Sequence, residues 1–213
     1  MATTTATMPD GSPIDLAKVA KELMDHLIAT FKFEIHDKES SDLMKAIATG
    51  MDLAKTFSNT LPSSKDFMER FATTAGEDVF LPKVIRENPV ALMEVGTHEC
   101  QHTLQFKDTN VQFAWFYLTD NSARAQFEAD AYAAGIIVRS WLTGEPAAAN
   151  LDWAVQSLIS SYHLRPEDAS YAKVSMKALF ASWESGIIMV RSAREAIKWL
   201  EANYPQLKGA VQG

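Results

Sequence analysis

Apolar residues recur at steps of three and four from Leu16 through Val19, Ala20, Leu23 and Leu27 to Phe31. Lys18, Lys21, Glu22 and Asp25 fill the other side, and this spacing predicts an amphipathic helix near 14–32. Ser40 or Ser41 is the predicted cap of a second helix carrying Leu43, Met44, Ile47, Met51, Ala54 and Phe57. Leu61-Pro62-Ser63-Ser64 then breaks the chain before a short helix with Phe67, Met68 and Phe71. Thr74 to Glu77 reads as a turn. Asp78 to Ile85 is the best strand candidate, and because Pro82 has no ladder donor the strand is expected at a sheet edge. Asn88-Pro89 starts a helix that runs to about Phe106, with Asn as cap and Pro at the first helical position. Over Val111 to Leu118 the pattern fits helix and strand equally. Ser122 is the expected cap of a helix ending at Gly144, and Asn150 that of a short helix with Trp153, Val155, Leu158 and Ile159. From Pro166 to about Tyr204 the period is again helical, interrupted near Ser185-Gly186, and a frayed tail follows.

The fold class this implies is α+β and mostly helical, with a small edge β element and extra C-terminal helices. With 213 residues there is room for one domain with a real core. Residues 1–13, small and Thr-rich, read as a flexible arm, 14–204 as a single domain, and 205–213 as a tail. The arm lacks a basic cluster followed by an apolar stretch, so it does not resemble a signal peptide. The longest apolar run, Ala131 to Val138, stops at Arg139, far short of a bilayer span of ~18 residues. A soluble, cytoplasmic protein is expected. The net charge of −7 argues against nucleic acid or anionic membrane as partner, since both are held by basic residues. The single cysteine, Cys100, excludes an internal disulfide and a thiolate-rich metal site.

Chemistry enters inside the helix that begins at Asn88-Pro89, where His98-Glu99-Cys100-Gln101-His102 forms an HExxH motif. A helix turns ~100° per residue, so the two histidines sit one turn apart on one face, within reach of a single metal ion. Glu99 is displaced by ~100° and suits a base acting on a water at that ion. Such a motif arises by chance in roughly one chain of this length in a hundred, so its setting matters. Downstream, 26 residues after His102, Glu128 lies in a second helical stretch, Arg124 to Gly135, whose Ala131 and Gly135 leave a face small enough for close helix packing.

His98-Glu99-x-x-His102 followed by Glu128-Ala129-Asp130-Ala131-Tyr132-Ala133-Ala134 resembles the zincin superfamily. Within it the stretch is similar to gluzincins, and most of all to compact regulatory metallopeptidases of phages and bacteria. The likeness covers about Val79 to Ile137. It implies a zincin-like core at about 78–142 with a helical C-terminal part at about 150–204, one Zn2+ per chain held by His98, His102 and Glu128, and Glu99 as general base. A departure from the gluzincin spacing at Gln126 keeps Asp130 as a rival third ligand. The function implied is that of a zinc-dependent metallopeptidase hydrolysing peptide bonds through a metal-bound water activated by Glu99, with a peptide or protein as substrate. The alternative is a non-catalytic, metal-binding zincin-fold protein serving as an interaction or structural component, for instance in a phage particle or regulatory complex. The predicted edge strand would hold an extended peptide by strand addition. His163, Tyr162, Tyr171 and Arg124 are candidate donors to a developing oxyanion. Cys100 reads as a buried small hydrophobe, Phe113, Trp115, Phe116 and Tyr117 as core, and His26 and His36 as surface or capping residues without partners.

Overall fold

The computed structural model describes residues 3–4, 6–8, 11–55 and 63–212. The chain is mostly helical with a small sheet. In order, the elements are β1 (Thr3–Thr4), α1 (Leu16–Phe31), β2 (Glu34–Asp37), α2 (Asp42–Lys55), α3 (Ser64–Arg70), β3 (Thr73–Ala75), β4 (Asp78–Leu81), α4 (Lys83–Arg86), α5 (Pro89–Thr109), α6 (Val111–Thr119), α7 (Asn121–Thr143), α8 (Leu151–Tyr162), α9 (Pro166–Glu184), α10 (Arg191–Asn203) and β5 (Val211–Gln212). Phe57 and Leu61-Pro62 lie outside the described residues.

α1 forms as its pattern requires: Asp15 caps it by accepting from the backbone N–H of Ala17 and Lys18, and Leu16, Val19, Ala20, Leu23 and Leu27 are buried. The interruption near Ser185-Gly186 separates α9 from α10, with Gly186 at a φ of 87°. α6 is a helix, which resolves the ambiguous segment. α7 starts two residues earlier than expected, because Asp120, not Ser122, is the cap, accepting from the N–H of Ser122 and Ala123. Asn150 makes no capping bond and instead closes a single 3-10 turn ahead of α8.

The sheet corrects the sequence reading most. Its order is β2-β4-β3, so β4 is the central strand rather than an edge. Val79, Phe80 and Leu81 are all buried, the continuous apolar run of a strand covered on both faces. Pro82 does not disturb it, because the strand stops at Leu81 and Pro82 precedes the first residue of α4, where no donor is needed. β2 pairs parallel to β4 from Glu34 opposite Asp78 to Asp37 opposite Leu81. β3 pairs antiparallel, Thr73 opposite Phe80, through the two-residue turn Gly76-Glu77, and Gly76 supplies the positive φ of 71° that such a turn needs. β3 is therefore the edge next to α5.

α5 and α7 form the centre, with α1 and α10 packed on α5 and α9 on α7. Close crossing rests on two glycines. A Cβ at Gly135 would stand 2.9 Å from the carbonyl oxygen of Glu94, and one at Gly96 would stand 2.4 Å from the Met24 sulfur. The small face foreseen around Ala131 and Gly135 thus does bring α7 against α5. The core includes Leu23, Leu27, Met93, Ile136, Trp141 and Ile197. The arm and tail are corrected as well: Thr3 and Thr4 pair antiparallel with Gln212 and Val211, and Leu207 and Val211 are buried.

Candidate metal centre

α5 presents His98 and His102 on the side that faces α7, and α7 presents Glu128 back at them. The imidazole centroids are 4.9 Å apart. Glu128 Oε1 is 3.5 Å from His102 Nε2, and Oε2 is 3.8 Å from His98 Nε2. One donor atom from each of the three residues lies within 4.8 Å of the others. Tetrahedral zinc with bonds of about 2.0–2.2 Å sets its donors about 3.3 Å apart, so modest side-chain rotation brings this trio onto one ion. Glu128 has no solvent exposure, and its Oε2 has no hydrogen-bond partner among the described residues. A buried carboxylate oxygen left without a partner is costly, and a cation between Glu128 and the two imidazoles would satisfy it. The donor set of two imidazoles and a carboxylate fits zinc.

The surroundings hold each donor in place. Gln105, one turn on from His102, gives its Nε2 to the carbonyl of Phe127 at 2.9 Å. Its Oε1 therefore faces His102 and accepts Nδ1–H at 2.8 Å, leaving Nε2 for the cluster. The His98 ring hydrogen-bonds the backbone of Ala131 and meets the Tyr132 ring edge-on at 5.0 Å. The Tyr117 hydroxyl, carried in by α6, donates to Glu128 Oε1. Burial presses His98 below its usual value. Burial presses His102 the same way, but Glu128, Glu99 and the Gln105 hydrogen bond together outweigh it and lift that ring to about 9. Burial alone would raise Glu128, yet the two imidazoles and the tyrosine hold it below the usual carboxylate range. The cluster favours a positive charge at its centre.

Glu99 is 5% exposed and sits beside the cluster, its Oε1 3.8 Å from His98 Nε2. The hydroxyl of Thr74, on edge strand β3, donates to its Oε2 at 2.6 Å. Behind this strand Lys38 is fully buried, donating to the carbonyl of Phe71 and to Thr73 Oγ1 at 2.7 Å each, with its ammonium 3.5 Å from the Phe67 ring centroid. Burial lowers Lys38 to about 8, against the pull of Glu99 and Glu39. A cavity of about 400 Å³ opens over Glu99, His102 and Glu128, walled by residues 71–76, Phe106, Phe113, Tyr117 and Tyr162.

His98, Glu99, His102 and Glu128 therefore come together. Asp130 does not: two residues past Glu128, it points to another side of α7, accepts from Gln126 Nε2 at 2.9 Å, and hydrogen-bonds Gln105, the residue that holds His102. Of the four oxyanion candidates only Tyr162 lines the cavity. His163 is an exposed left-handed residue ending α8, Tyr171 is 58% exposed, and the Arg124 guanidinium is engaged by the carbonyls of Tyr117, Leu118 and Tyr162. The aromatic group is not all core, because α6 is apolar on every side and only one stripe can face inward. Phe113 and Tyr117 line the cavity, whereas Trp115 and Phe116 are exposed. Cys100 is fully buried and its thiol is pushed up to about 12 by burial, as befits an inert hydrophobe.

His26 and His36 do have partners, Glu195 at 2.9 Å and Asp78 at 2.7 Å. Glu34, His36 and Asp78 make a second, exposed grouping across the ends of β2 and β4. Sequence reasoning missed Thr74, Gln105, Tyr117 and Lys38; of these only Gln105 left a signal, three positions after His102 on the same helix. Comparison with family models, curated proteins and solved structures finds no match for this chain.

Proposed function

We propose that the chain is a zinc-dependent peptidase with a zincin-like core, in which His98, His102 and Glu128 hold one zinc ion and Glu99 is the general base. The observation that carries this reading is Glu128, buried, with one oxygen that has no hydrogen-bond partner among the described residues, aimed at the two histidines of the motif. Structural zinc sites close with four protein ligands, whereas three ligands beside an open cavity leave a position free for chemistry. Bound there, zinc supplies Lewis acidity, polarising a peptide carbonyl and lowering the pKa of water to about 7.

The chain's own residues supply the rest. Thr74 fixes Oε2 of Glu99 and leaves Oε1 facing the cluster, so the carboxylate is poised to take a proton from the attacking water and pass it to the departing amine. Gln105 holds the ring of His102 in the tautomer that ligation needs. Tyr162 stands on the cavity wall as the donor to the carbonyl oxygen as it gains charge. Burial, together with the nearby Glu128, holds its hydroxyl well above the usual tyrosine value, so it stays protonated. β3, with one side paired to β4, offers its other edge to an extended substrate as an added strand.

Glu99→Gln tests this. The variant is expected to keep its zinc while cleavage of a peptide library falls by about 100-fold or more. Full cleavage in the variant contradicts the role of Glu99, and zinc without cleavage in either protein favours a metal-binding scaffold.

A further inference from the structure

The cavity beside the cluster is more specific in its chemistry than a peptide backbone requires. Its volume of about 400 Å³ lies within the range of sites that seat a small ligand. Away from Glu99 and Glu128 its wall is aromatic. Phe67 and Phe71 come from α3 and its end, Phe106 from the turn of α5 after His102, and Phe113 from α6. Phe113 meets Phe106 edge-on at 6.5 Å between centroids and leans on Phe127 at 4.8 Å, so this side is braced from behind. Among the described residues no lysine or arginine lines the cavity. Lys38 and Arg124, which approach this wall, spend their donors on backbone carbonyls and on Thr73. Leu118 carries the apolar lining out to the surface, where it is 72% exposed and Trp115 67%. A smaller cavity of about 200 Å³ on the other side of Glu99 differs, since Arg70 and Glu94 are in its wall.

We infer that the substrate is an extended polypeptide segment that seats a large apolar side chain, aromatic or long aliphatic, in the phenylalanine-lined cavity, and that acidic side chains are rejected there. This rests on the peptidase reading. Strand addition along β3 recognises only backbone, so the cavity it runs beside must supply the selectivity. An apolar side chain gains by leaving water for an aromatic lining. A carboxylate seated among the phenylalanine rings would lose its hydration, with no lysine or arginine of the lining to pair with. Phe67, Phe71, Phe106 and Phe113 are then the specificity-determining residues, and none is assigned a part in bond breaking.

The test reads binding rather than turnover. Short fluorescein-labelled peptides of Gly, Ser and Thr with one central guest residue are titrated by anisotropy against the full chain carrying Glu99→Gln. Phe, Leu or Met as guest is expected to bind roughly tenfold or more tightly than Ala, Asp or Lys. Phe106→Ala added to this protein removes most of that preference, and Phe67→Ala, on a different helix, does the same without touching α5. Equal binding of all guests, a preference for Asp or Lys, or a preference untouched by both variants overturns the inference. Cleavage by the wild-type chain is scored separately: a clear apolar preference with no cleavage removes the peptidase reading and leaves the apolar site standing.

Discussion

At the level of single residues the burden falls on Glu128. An unsatisfied buried polar group costs about 1–3 kcal/mol and a charged one more, and Glu128 Oε2 is such a group. Tyr117 and the two imidazoles offset part of that cost, and a cation bound between them and Glu128 would remove the rest. Gln105 then matters because it fixes the tautomer of His102. Gln105→Ala is expected to weaken zinc binding roughly 10–100-fold, measured by competition with a chelating dye, and unchanged affinity would remove Gln105 from the site. His98, Glu99 and His102 were legible in the sequence because their relation is set by the turn of one helix. Glu128 was legible because a small-residue face marked α7 as a close neighbour. Thr74 and Tyr117 were not, since each reaches the site by tertiary folding from a segment whose local pattern carries no mark of chemistry. Lys38 was hidden for the opposite reason, being a charge where the sequence suggests a solvated side chain.

Among the elements, the approach of α7 to α5 sets the geometry. Gly135 lies two turns beyond Glu128, with the Glu94 carbonyl oxygen 2.9 Å from where a Cβ would stand. Backbone cannot step aside as a side chain end can, so Gly135→Val is expected to push the helices apart. It should destabilise the fold by about 1–3 kcal/mol in urea titration and loosen zinc binding with it, and a variant as stable as wild type would show that the crossing is not tight. Long helices were legible from their period, and in α5 from a cap that agrees with it, Asn88; the cap of α1, Asp15, emerged only in the structure. The sheet was not. β2 reads Glu-Ile-His-Asp, without a strand period, and exists because it pairs with β4. Its presence makes β4 central and leaves β2 and β3 as the two edges, β3 being the strand that holds Glu99 through Thr74.

On the scale of the whole molecule, the site draws on more of the chain than the 78–142 window. Lys38, Thr74 and Tyr162 come from either side of it, and Gln101 ties α5 to α10 by accepting from the N–H and hydroxyl of Ser192. Among the described residues no helix is long and apolar enough to cross a membrane. Lys38 also gives stability a signature in pH. Its folded value of about 8 lies below the ordinary 10.5, so between these values the unfolded chain binds more protons than the folded one. Stability contributed by this residue therefore rises as pH increases through that window. Urea midpoints of wild type relative to Lys38→Met should climb from pH 8 to pH 10.5, and a flat or falling difference would contradict burial of a charged lysine behind β3. The most direct test of the central claim is the metal content of the purified chain, measured by mass spectrometry of the element beside Glu128→Ala. About one zinc per chain in the wild type and almost none in the variant is expected; a wild type without metal, or a variant that holds as much zinc as the wild type, would contradict the site.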